Sequence, residues 1–368
     1  MHYPVPMTIP EGRWRRRAVV ATALAGVVAV ALVIANPSLL RRGEREPIPT
    51  GGPVDDLEVV CSDAVTAGFC SDPEPLADEM RNGELVILES HVAADGVTSP
   101  RRLRVAVDRA DRRVVYRVKF KPVPPSLDES NHCPRRELAA YALQRLLFDP
   151  ERYVVAPTVI RCLTTRPHGP DVGAPFENTG CVLGVMSYWL EDTRDLTDDA
   201  SNSATGSLAE RLGDLNVFGK VASHRDAIGR NFLLTDDDER RAFAVDNGLA
   251  FGAREYHPLG WLGGTWGRWH GLPVASETVE RLSRITREQL DATLLTVAQL
   301  ELRDGLYHHV AHEAPWPERG DDGVGRRPGA IQLGLTTAEV ADVHDEVRAL
   351  AQQLNRGSNT TVAHSPEP

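Results

Sequence analysis

The chain has 368 residues, 42% of them hydrophobic, with 41 basic against 52 acidic side chains and a net charge of −11. That apolar content excludes wholesale disorder and suffices for one large or two smaller lobes. The first 45 residues hold seven Arg and two Glu, so residues 46–368 carry −16, which argues against a soluble part that coats nucleic acid.

Arg13, Arg15, Arg16 and Arg17 precede an uncharged run from Ala18 to Ala35, eighteen residues that approach the length of a membrane span. Residues 1–17 are therefore expected to be a cytoplasmic basic tail and 18–40 a transmembrane signal-anchor, placing the rest of the chain outside the cytosol as a single-pass membrane protein. The alternative is a cleavable signal peptide with Val33-Ile34-Ala35 at the cleavage site, which would make the protein secreted. Residues 41–56 are rich in Pro, Gly and charge and read as a linker.

Five cysteines (Cys61, Cys70, Cys133, Cys162, Cys181) suit an oxidising compartment. Cys61–Cys70 and Cys162–Cys181 are the expected pairs, since each closes a short loop of turn-forming residues, and Cys133 is left over. No C-x-x-C occurs, which favours disulfides over zinc.

Glu84–Glu89, Leu103–Val107 and Val114–Phe120 read as three strands, separated by a loop containing Gly96 and by the turn Arg109-Ala110-Asp111-Arg112, and so predict a meander. Pro122, Pro124 and Pro125 stop the third strand, and Glu137–Phe148 then shows helical periodicity. Cys181–Leu190 reads as another apolar strand, and the acidic, Ser/Thr/Asn-rich stretch Glu191–Ser207 as a loop. From Leu208 onward the pattern predicts a mainly helical region, with long helices over Ser276–Gly305 and Thr337–Leu354. A short hairpin of Phe232–Leu234 and Phe243–Val245 interrupts it. The tail 356–368 is polar and expected to be disordered.

Only three basic residues are lysines, and two of them, Lys119 and Lys121, lie two apart in one strand and so on one face. In chain order they are followed by Glu137 opening a helix, by His224-Arg225-Asp226 with Asn231 five residues after the Asp, and by Asp246-Asn247-Gly248. Each piece alone is commonplace, for Asp-Asn-Gly is ordinarily a turn. Together they supply what phosphoryl transfer requires. An ammonium, Lys121 or Lys119, reads nucleotide phosphates while the Glu137 carboxylate fixes it. Asp226 orients the acceptor hydroxyl, and Asn231 and Asp246 offer hard oxygens for Mg²⁺ or Mn²⁺. Lys220 reads as a solvated charge, and His308, His309 and His312 as a helix face rather than a metal site. Trp261, Trp266 and Trp269 suit either stacking on an acceptor or packing of a Gly-rich loop.

These residues, with the segments FKP, ELAAYALQRLL, YVVAPTV, GVMSYWLED and AVDNGLAFG, resemble the secretory-pathway kinases of the Golgi casein kinase and four-jointed type. The resemblance covers about residues 80–300. It implies an α+β, two-lobed protein-kinase-like fold: a small β-sheet N-lobe with one helix (57–190) and a larger, mainly helical C-lobe (191–355), after the transmembrane helix. It implies Lys121 for the phosphates of ATP, Glu137 paired with it or with the metal, Asp226 as the catalytic Asp and Asp246 as a metal ligand. The sequence departs from that pattern where Ala227-Ile228 rather than Arg-His follow the Asp, and it contains neither G-x-G-x-x-G nor A-P-E.

The expected activity is transfer of a phosphoryl group from ATP to a hydroxyl of a secreted protein or glycan. Two other readings stay open: a pseudokinase that binds nucleotide or a partner without turnover, and a lipid kinase, which the acidic surface disfavours.

Overall fold

A computed structural model describes residues 58–60, 72–93, 100–110, 112–129, 132–164, 169–196, 203–224, 226, 231–236, 240–252 and 272–356. The basic tail 1–17, the apolar stretch 18–40, the linker 41–56, Cys61, Cys70, the three tryptophans at 261–269 and the tail beyond 356 lie outside these residues. Among the described residues no helix is long and apolar enough to cross a membrane.

The architecture is α+β. Strand β1 (Glu58–Val60) and helix α1 (Pro73–Asn82) precede the expected meander, β2 (Leu85–Val92), β3 (Arg101–Asp108) and β4 (Arg113–Pro122). Helix α2 (Pro134–Leu147) follows, opened by Pro134 at its first position, where a missing N–H costs nothing. Strands β5 (Thr158–Thr164) and β6 (Cys181–Tyr188) complete a sheet of order β2-β3-β4-β6-β5, antiparallel throughout, with β1 parallel to β4 off this path. The apolar run of β6 reflects burial on both faces. Val182 and Met186 enter one core with α1 and α2, while Leu183 enters a second with Ile160, Leu300 and Leu333. The disulfide Cys162–Cys181 ties β5 to β6 as expected, and Cys133 is a free, buried thiol.

Beyond β6, the stretch read as a loop contains β7 (Thr193–Asp195). Helix α3 (Gly206–Val221) follows, and then the expected hairpin, β8 (Phe232–Thr235) and β9 (Ala242–Ala244), with β7 added to its edge. Helices α4 (Ser276–Arg284), α5 (Arg287–Leu294) and α6 (Thr337–Arg356) pack on this side of the first core.

The single long helix expected over Ser276–Gly305 does not form. Ile285 turns extended, and Thr286 starts α5 with a reciprocal capping box to Gln289, satisfying two otherwise orphaned donors. The chain then makes a four-stranded antiparallel sheet, β11-β10-β13-β12, from β10 (Ala298–Arg303), β11 (Leu306–His309), β12 (Val324–Arg327) and β13 (Ala330–Leu333). Asp304 and Gly305, both at positive φ, form the two-residue turn between β10 and β11, the backbone a tight hairpin requires. The region after Leu208 is thus mixed rather than mainly helical.

This also corrects the histidine reading. His308 and His309 stand on strand β11, on opposite faces, not along a helix, and His309 Nε2 meets the Ile160 carbonyl at 2.5 Å. Lys220 is likewise not a solvated charge, being largely buried and 4.0 Å from Glu346.

Candidate functional site

The site is assembled by three local decisions. Strand alternation puts Lys119 and Lys121 on one face of β4, which pairs along β6 from Val118↔Tyr188 to Pro122↔Gly184. The cap of α2 at Cys133 sets Glu137 in the first helical turn. The hairpin β8–β9 then delivers Asp246 to the same place, where a 3-10 turn (Asn247–Leu249) begins.

Lys121 Nζ lies 2.7 Å from Glu137 Oε1 and 2.6 Å from Asp246 Oδ1, and Lys119 Nζ lies 3.3 Å from the same Asp246 oxygen. Lys121 and Glu137 are buried, with side chains 5% and 7% exposed, whereas Asp246 is 40% exposed and forms the open side of the cluster. Burial works against the Lys121 ammonium, but Glu137 and Asp246 outweigh it and hold its pKa above the ordinary lysine value. Burial works against the Asp246 carboxylate too, and Lys119 and Lys121 outweigh it, keeping its pKa well below the usual carboxylate range.

Asp246 adopts the left-handed conformation, φ 62° and ψ 52°, which costs a non-glycine residue about 1–3 kcal/mol. The surroundings over-determine it. Val245 N donates to Asn231 O and Phe251 N to Ala222 O, pinning both ends of the turn. Gly248 packs against α2, where a Cβ would stand at ordinary contact distance, 3.4 Å from Glu137 Oε1 and 3.7 Å from Cys133 N.

Asn231 and Asp226 form a second pair beside this cluster. Asn231 Nδ2 donates to both the backbone oxygen and Oδ2 of Asp226, each at 2.8 Å. The hairpin register Phe232↔Ala244 puts Asn231, just before β8, and Asp246, just after β9, at one end of the ladder. His224 is buried beneath them, its ring centroid 6.2 Å from that of Phe232. Burial lowers its pKa against the pull of Asp226 and Asn247. Among the described residues neither ring nitrogen reaches hydrogen-bond geometry with a partner, although Asn247 stands close by. Arg225 and residues 227–230 lie outside the described residues.

A divalent cation with nucleotide phosphates fits these residues. Both ammoniums contact Asp246 Oδ1 and Asn231 donates through Nδ2, so Asp246 Oδ2 and Asn231 Oδ1 are the hard oxygens a cation would take. One or two such ligands are what Mg²⁺ takes from protein when phosphates complete its shell. Among the described residues no group of three or more His, Cys, Asp or Glu side chains is placed to hold a metal ion. A separate cavity of about 330 Å³ beside β5 and β11, lined by Arg81, Arg161, Tyr307 and His309, shares no residue with the cluster.

The expected residues Lys119, Lys121, Glu137 and Asp246 thus converge directly, and Asp226 with Asn231 forms an adjoining pair. What sequence reasoning missed is the support around them. His132 Nε2 lies 2.5 Å from the Pro122 carbonyl at the end of the Lys-bearing strand, and Arg135 and Arg136 both pair with Glu339, about two hundred residues downstream. The signal that could have pointed there is Thr336-x-x-Glu339, a capping-box pattern, which says nothing of its partners on α2. No family model and no curated protein matches the chain.

Proposed function

We propose that the protein is an ATP-dependent phosphotransferase with a two-lobed, kinase-like fold, acting outside the cytosol on a hydroxyl of a secreted protein or glycan. The supporting observation is the buried Lys121 ammonium shared between a helix carboxylate, Glu137, and the strained hairpin-end carboxylate, Asp246. A structural ion pair needs neither a third charged partner nor a left-handed Asp, and strain of that kind clusters at functional sites.

In this reading Lys121, held by Glu137, places its positive charge on the nucleotide phosphates, with Lys119 beside it. Asp246 and Asn231 would hold Mg²⁺ or Mn²⁺, which when bound neutralises charge on the transferring phosphoryl group. Asp226 orients the acceptor hydroxyl. As the new O–P bond forms, the bond to the β-phosphate oxygen breaks, ADP departs and the hydroxyl proton passes to the Asp226 carboxylate. The Cys162–Cys181 disulfide supports an oxidising compartment, and the run 18–35 supports anchoring by, or export through, a membrane.

The test is incubation of the purified chain with radiolabelled ATP and Mn²⁺ or Mg²⁺, following self-labelling and ATP hydrolysis. Metal-dependent label that disappears in Asp246→Ala and Asp226→Ala is the expected result. Thermal stabilisation by ATP with no turnover would replace this reading by a pseudokinase. Unchanged turnover in both variants would overturn the residue assignment.

A further inference from the structure

The residues before Glu137 in α2 are Arg135 and Arg136, and both guanidinium groups end on one carboxylate, Glu339, in the first turn of α6. Arg135 Nη1 lies 2.5 Å from Glu339 Oε2, and Arg136 Nη2 and Nε lie 2.9 and 3.2 Å from Oε1. The contact is buried: the side chains of Arg135 and Glu339 are 3% and 11% exposed. Glu339 is itself immobilised, because its Oε2 accepts from Thr336 N at 2.8 Å while its own N–H donates to Thr336 Oγ1 at 3.1 Å. Arg319 donates to the carbonyls of Leu295 and Leu335, fixing the backbone that leads into α6. Leu138, the residue after Glu137, packs in the second core with Ile331 and Leu333 of the β10–β13 sheet.

The first turn of α2 is therefore gripped from the C-terminal part of the chain on both sides of Glu137. A helix shift of an ångström would lengthen the 2.7 Å contact of Glu137 with Lys121 beyond hydrogen-bond range. Burial opposes the Glu339 carboxylate, and Arg135, Thr336 and Arg136 outweigh it, so it stays charged at neutral pH.

We propose that Glu339 is a positioning residue: through Arg135 and Arg136 it holds α2 so that Glu137 stays on Lys121, keeping the phosphate-reading pair assembled without a phosphorylated loop. The role assigned to the pair rests on the phosphotransferase reading, whereas the geometric coupling does not.

The test exploits a chain with only three lysines. The full-length protein is treated at pH 9 and 20 °C with an amine-acylating reagent, and modification of Lys119, Lys121 and Lys220 is followed separately by peptide mass spectrometry. In Glu339→Gln, acylation of Lys121 is expected to rise about five-fold, because a lysine released from its carboxylate loses protons more readily. Glu339→Asp, which restores the charge, is expected to bring it back towards the parent rate. Lys220 contacts Glu346 on the same helix and serves as the reference, since mere loosening of α6 would expose it equally. An unchanged Lys121 rate, or parallel rises at Lys121 and Lys220, would overturn the proposal. If Glu339→Gln fails to fold, Arg136→Gln decides, with an expected rise at Lys121 of about two-fold and an unchanged rate as the refuting result. No nucleotide is present, so a parent protein that transfers no phosphate refutes the phosphotransferase reading and leaves this result standing.

Discussion

Replacing Glu137 by Gln removes one charge from the buried cluster and leaves its shape. Removing one partner of a buried ion pair costs about 3–5 kcal/mol when the other is left uncompensated. Here Asp246 Oδ1 remains 2.6 Å from the ammonium, so compensation is partial and a loss of about 2–3 kcal/mol is expected. Lys121 is only 5% exposed, and solvent screening does not erase that figure. At about 2–4 °C per kcal/mol for a domain of this size, Tm should fall by about 5–10 °C. Urea unfolding at pH 7 should show the same loss as a lower midpoint at unchanged slope. The pH dependence has a definite sign. A lysine whose folded pKa is raised contributes stability that is complete below its unfolded value of 10.5 and is lost as pH rises through the folded value. The gap between parent and variant should therefore hold from pH 6 to 9 and narrow in strong alkali. A midpoint within about 0.5 kcal/mol of the parent, as for ordinary surface substitutions, would refute the claim that Glu137 holds Lys121 in solution.

Asp246→Asn keeps a residue that tolerates the left-handed backbone but removes the charge. Because the folded pKa of Asp246 is depressed, its contribution is present above the ordinary carboxylate range and lost as pH falls through the folded value, so the variant should be less stable at pH 7 and the difference should shrink steadily in urea titrations as pH falls below the ordinary carboxylate range. Gly248→Ala, whose Cβ would stand at ordinary contact distance, 3.4 Å from Glu137 Oε1, should shift thermal unfolding by less than about 0.5 kcal/mol and leave any stabilisation by ATP and Mn²⁺ in place. Reducing Cys162–Cys181, residues nineteen apart in sequence, should cost about 3 kcal/mol, seen as a lower Tm with reductant in the parent and no reductant effect in Cys162→Ala/Cys181→Ala.

Short apolar runs bounded by polar and turn-forming residues made the meander β2–β4 and the strand β6 legible, and 3.6-residue periodicity did the same for α2 and α6, because those signals are local. The pairing of Cys162 with Cys181 was legible from a short loop between them, and the hairpin β8–β9 from its two apolar runs. The β10–β13 sheet was not. The apolar residues of Thr286–Gly305 suit a helix or a strand, and only the Asp304-Gly305 turn marked the difference.

Sequence by itself determined which chemical groups the site owns: two lysines on one strand face, a carboxylate in the first turn of the next helix, and Asp226, Asn231 and Asp246 flanking a hairpin. Tertiary structure alone decided that Asp246 bridges both lysines while Glu137 pairs with Lys121, and that Arg135 and Arg136 are secured by Glu339. The physical reason is range. A strand or helix repeat is written in neighbouring residues, whereas the partner of a buried charge is whichever opposite charge the packed core brings within about 4 Å, and nothing in the spacing of 137 and 339 encodes that distance.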